Sequence, residues 1–188
     1  TEFVGPKVSE ELFRAGVSAV IFAIIGILAY IWFRFEWQFG LGAIIALTHD
    51  VVTTVGLFSL TGLEFNLSTV AAILTIAGYS INDTVVVYDR VRENLRKYKS
   101  MPLSQLLNNS INETLSRTVM TSMTTLLALV ALYVLGGEVI RGFSFRMIWG
   151  VLIGTYSSIC LAVPILLYFD INRGIETGGV SSAERLTE

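Results

Sequence analysis

Long apolar stretches separated by short polar connections set the pattern of this chain. They occupy residues 12–33, 39–60, 66–88, 114–135 and 143–169. A helix covers ~30 Å of hydrocarbon with ~20 apolar residues rising 1.5 Å each, and each stretch reaches that length. The pattern therefore predicts an all-α fold, a polytopic membrane helix bundle with five transmembrane helices. Pro164 predicts a kink near the end of the fifth. Residues 1–11 precede the bundle and 170–188 form a tail.

Composition supports the membrane assignment. Hydrophobic residues make up 53% of the 188 and charged ones 15%, with a mean hydropathy of +0.67. A soluble domain carries about 25% charged residues, so too little polar surface exists here to coat a water-facing globule. The net charge of −2 gives no reason to expect nucleic acid as a partner. Cys160 is the single cysteine and His49 the single histidine, which excludes an internal disulfide and a multi-histidine metal site. No metal or organic cofactor is expected. The opening Thr1-Glu2-Phe3-Val4-Gly5-Pro6 shows no cleavable signal peptide, and it reads as the continuation of a longer chain with a first helix missing.

The connections assign an orientation. Arg90, Arg92, Arg96, Lys97 and Lys99 form the densest basic cluster, between the third and fourth spans. The positive-inside rule places that connection, the hairpin near Arg34 and the C-terminal tail in the cytoplasm. Within residues 89–113, Val91, Leu95 and Tyr98 share one helical face, and Leu103, Leu106, Leu107 and Ile111 repeat the pattern after Pro102. This predicts an amphipathic elbow lying on the bilayer surface, with partner docking as the alternative.

Charges inside the spans ask for a reason, because each costs about 2.5–3.5 kcal/mol at a helix centre. Asp50 lies midway along the second span beside His49. Asp83 lies about six residues before the end of the third, and Arg117 lies early in the fourth. The last two helices run in opposite directions from one connection, so Asp83 and Arg117 can share a depth. Thr75, Tyr79, Asn82 and Asp83 fall at helical spacing on the third span, as do Thr114, Arg117, Thr121 and Thr124 on the fourth. Gly150, Gly154, Ser157 and Ser158 offer small and hydroxyl positions on the fifth. Such stripes predict a polar seam between closely approaching helices. Asp83 and Arg117 are the candidate proton pathway, with Asp50, His49, Thr75, Tyr79, Asn82 and Thr121 as supporting polar residues. Each has a plainer reading: a fixed Asp83–Arg117 ion pair that sets packing, or a base snorkelling to the interface. The Gly150-xxx-Gly154 spacing reads as a close helix crossing.

Two runs carry a resemblance. Ala46-Leu47-Thr48-His49-Asp50-Val51 is the first; Gly78-Tyr79-Ser80-Ile81-Asn82-Asp83-Thr84, continuing to Asp89-Arg90-Val91-Arg92-Glu93-Asn94, is the second. With Ser116-Arg117-Thr118 and Gly142-Phe143-Ser144 they resemble the SecF family of protein-export membrane proteins. The resemblance implies a bacterial inner-membrane subunit with its C-terminus in the cytoplasm. It also implies one half of a pseudo-symmetric bundle completed by SecD and related to the resistance-nodulation-division transporters. Residues 1–11 would be the remnant of a periplasmic domain that contacts the translocating preprotein. The partners implied are SecD, the SecYEG channel, YajC and YidC, with protons as the coupling ion, and Asp83 and Arg117 match the family's proton-pathway acid and arginine. Two other readings stand beside it: a structural adaptor that conducts no protons, and a small-molecule proton antiporter. An enzyme is not expected, since no nucleophile-base set converges.

Overall fold

The computed structural model describes residues 6–62 and 66–169, so the terminal segments 1–5 and 170–188 lie outside the description. Its elements are α1 (Pro6–Arg34), α2 (Trp37–Thr61), α3 (Leu67–Lys97), α4 (Leu103–Leu135) and α5 (Glu138–Ser157). A π-helical turn at Ser158–Ala162 and a 3-10 turn at Pro164–Tyr168 continue α5. All five long helices have the length and hydropathy to cross a membrane.

Local chemistry fixes the ends. The α2 helix stops at Gly62, whose φ of 66° is a left-handed conformation that glycine adopts without a Cβ penalty. Asn66 caps α3 reciprocally: its side chain accepts from the Thr69 amide at 3.0 Å, while the Thr69 hydroxyl accepts from the Asn66 amide at 3.3 Å. Pro102, which cannot donate an amide hydrogen, stands immediately before α4.

The segment predicted as an amphipathic elbow is helical on both sides of residues 98–102. The α3 helix runs unbroken past Tyr88 to Lys97, and α4 is already helical from Leu103. Val91, Leu95, Leu106 and Leu107 are buried in one core with Ile31, Phe35, Phe39 and Val163. The segment's apolar face therefore packs on protein. A 3.6-residue period identifies the apolar side of a helix and says nothing of what covers it. The α1–α2 hairpin supplies the cover. Polar bonds close the other edge: Asn94 donates to Ser110 and to Glu113, each at 2.9 Å, and Arg90 donates to Glu113 at 2.6 Å.

The break after α5 is held from α3. Tyr88 is fully buried, packs edge-on against Phe39 at 5.2 Å, and donates its hydroxyl to the Ala162 carbonyl at 2.7 Å. Irregular backbone at membrane depth needs such a partner, because lipid offers none. Tyr88→Phe keeps the ring packing and orphans that carbonyl. We expect a stability loss of about 0.6–1.7 kcal/mol, the range for hydrogen bonds between membrane helices, read as a lower thermal midpoint in detergent.

Candidate functional site

Asp50 sits on the buried face of α2 with Ala43, Ala46, Leu47 and Thr54. Opposite it, α5 approaches α3 closely because glycines line the crossing. A Cβ built on Gly154 would lie 3.0 Å from the Ser80 Cβ, and one on Gly150 would overlap the Ile76 side chain. This closeness lets two hydroxyls from different helices reach one carboxylate oxygen. Asp50 Oδ2 accepts from Ser80 of α3 at 2.5 Å and from Ser157 of α5 at 2.8 Å. His49 Nδ1 lies 3.1 Å from Asp50 Oδ1, and the carboxylate is wholly buried. The hydroxyl set continues through Ser158, which donates to the Ser80 carbonyl at 3.3 Å and lies 2.9 Å from the Thr84 hydroxyl.

Asp83 is different in kind. It is buried at 6% exposure, yet its Oδ2 has no hydrogen-bond partner. Among the described residues no ion pair joins it to Arg117, whose side chain is exposed on α4. On the neighbouring helix Thr118 is buried with its hydroxyl also unpartnered. Asp83 follows Ser80 by less than one helical turn and directly precedes Thr84. One turn of α3 thus carries both one partner of Asp50, Ser80, and the partnerless acid. Saturated with donors, Asp50 is suited to hold three helices together. Asp83 lacks such donors.

The predicted seam divides. Thr75, Asn82 and Thr121 are exposed along with Arg117 and Thr124, outside the hydroxyl set around Asp50. Thr75 and Thr121 donate to carbonyls of their own helices, Ala71 at 2.8 Å and Arg117 at 2.5 Å. Tyr79 is half-buried with an unpartnered hydroxyl, and His49 is partly exposed. Asn82 and Asp83, adjacent in sequence, thus differ sharply in burial. Two features escaped the sequence reading. The partners of Asp50 are Ser80 and Ser157, on two facing helices; the spacing Ala77, Ser80, Thr84, Tyr88, Val91 was the available signal. Arg146, inside the fifth predicted span, is also buried, with its guanidinium 5.5 Å from the Phe58 ring centre.

Apolar helices long enough to span a bilayer, closing around one saturated and one partnerless acid, define a polytopic membrane protein. The chain belongs to the SecD/SecF family: residues 1–172 match the family described as protein export membrane protein SecD/SecF, C-terminal. It is 62% identical over 173 residues to the protein translocase subunit SecF of Cereibacter sphaeroides, covering 92% of this chain and 53% of that one. To the SecF subunit of Rickettsia rickettsii it is 56% identical, covering 92% and 56%. The chain therefore spans about half the length of these relatives. Its fold is similar to the crystal structure of SecDF, a translocon-associated membrane protein from Thermus thermophilus. There the TM-score is 0.84 at 51% identity, covering 88% of this chain and 23% of that one. A super-membrane-facing form of SecDF gives 0.79 at 48% identity, covering 88% and 22%.

Proposed function

We propose that this chain works in the bacterial inner membrane as the membrane half of a SecF subunit, using the proton motive force to assist late preprotein translocation. The observation that carries the reading is Asp83, buried without a hydrogen-bond partner while Arg117 stands on the next helix unbonded. At ~4 Å and an effective dielectric near 20, such charges attract by about 4 kcal/mol. A proton moving through ~150 mV releases about 3.5 kcal/mol, the same order. A small shift between α3 and α4 that closes the pair would favour proton release, and one that opens it would favour uptake. Asp50, tied to Ser80 and Ser157, anchors α2, α3 and α5 while this happens.

The open face bearing Thr75, Asn82, Arg117, Thr121 and Thr124 is the surface for SecD, because polar groups at membrane depth require a polar cover. The SecYEG channel, YajC and YidC join through the assembled complex, and the preprotein is met by the parts of the relatives outside this chain. The bases of the α3 extension, Arg90, Arg92, Arg96 and Lys97, support a cytoplasmic location for that end and for the C-terminus. The sealing of Asp83 from solvent favours one other reading, a structural adaptor that stabilises SecD and the channel.

Export from vesicles containing the full complex, with and without an imposed proton gradient, tests the choice. The proposal expects completion of export to depend on the gradient only when this subunit is present. If the subunit raises export equally with the gradient collapsed, the adaptor reading replaces it.

A further inference from the structure

A cavity of about 460 Å³ opens where α1 ends beside the α3 extension, lined by Arg34, Asp89, Arg92, Glu93, Arg96 and Lys97. Its charges are not balanced. Arg34 is neutralised by a two-pronged bond to Asp89 at 2.8 and 2.9 Å, and Glu93 is engaged by Arg90 at 2.6 Å. Among the described residues no carboxylate stands at ion-pair distance from Arg92, Arg96 or Lys97. Arg92 is held in position, donating to the Arg34 carbonyl at 3.1 Å with its guanidinium 5.4 Å from the Phe35 ring centre. The site thus presents three cations without an ion-pair partner among the described residues, Arg92 among them already oriented.

Its depth is marked independently. The apolar run of α1 ends at Arg34, and Trp32 and Trp37 flank that end with 74% and 60% exposure. Exposed tryptophans at a helix end belong at headgroup level. Below them α1 presents Ile21, Phe22 and Ile25 outward, so an apolar surface leads away from the cavity. We infer that this cavity binds the phosphodiester headgroup of an anionic phospholipid, with its acyl chains lying along the outer face of α1. Phosphate recognition by arginine suits the charge, and the adjoining apolar surface selects a lipid over a free phosphate ion. A headgroup bound here would bridge α1 to α3, tying the least covered of the helices to the bundle.

Native mass spectrometry of the whole assembly, titrated with phosphatidylglycerol or phosphatidylcholine in detergent, tests this. Arg96→Gln/Lys97→Gln is the informative variant, since both side chains are exposed; Arg141→Gln, at the opposite end of the bundle, is the control. Wild type and R141Q are expected to prefer phosphatidylglycerol. The double variant should lose about 25-fold in apparent affinity, roughly fivefold for each base removed. Millimolar inorganic phosphate should leave the bound lipid in place. Equal wild-type binding of the two lipids overturns the proposal, whatever the variants do. So does undiminished phosphatidylglycerol binding by the double variant. Displacement of the lipid by inorganic phosphate overturns the lipid assignment and makes the site one for the free ion.

Discussion

Asp83→Asn is expected to remove the gradient-dependent part of export altogether while leaving the assembly intact. The amide fills nearly the same volume as the carboxyl but cannot take up and release a proton. Folding should tolerate the change, because Asp83 Oδ2 makes no hydrogen bond that asparagine would forfeit. A neutral amide is also cheaper to hold at membrane depth than an acid, whose insertion costs up to about 3.5 kcal/mol. The effect therefore belongs to function and not to stability. Two measurements separate them: export from vesicles with the gradient imposed or collapsed, and recovery of the intact complex in detergent. Complete complex with no response to the gradient is the expected pair of results. Full gradient stimulation in the variant would remove Asp83 from the mechanism.

That acid stood out in the sequence because a carboxyl in an apolar run is costly to insert and asks for a reason. The five helices were legible for a similar reason, since length and hydropathy alone define a span. What the sequence withheld is which surfaces meet. Asp50 draws its hydrogen bonds from Ser80 and Ser157, 30 and 107 residues away, and serine in an apolar helix carries no label naming its partner. The α3 extension shows the same limit. Val91 and Leu95 were visibly on one face, yet only the position of Phe35 and Phe39 decides that protein covers it. Arg117 illustrates the opposite case: of the stripe predicted with it, Thr114 is buried, while Arg117, Thr121 and Thr124 face outward. Helical periodicity yields direction relative to one axis, and packing requires several axes at once.

Gly150 lets those axes come together, and Gly150→Leu should damage the fold most among single changes on α5. Any Cβ there overlaps three carbons of Ile76, a residue buried with Ala72, Leu129, Met147 and Val151. Overpacking of this kind costs about 1–3 kcal/mol. Moving α5 outward to relieve it would also draw Ser157 away from Asp50, now 2.8 Å apart, at about 0.6–1.7 kcal/mol for the bond. At ~2–4 °C per kcal/mol for a chain of this size, the thermal midpoint in detergent should fall by roughly 5–15 °C. Intrinsic fluorescence can follow the unfolding, since Trp149 adjoins the substitution. Gly26→Ala and Gly56→Ala supply the contrast. Neither glycine has a foreign atom within 4 Å of an added Cβ, so both should melt within about a degree or two of wild type. If Gly150→Leu melts with them, the α3–α5 crossing is not what holds Asp50 in its cage of hydroxyls.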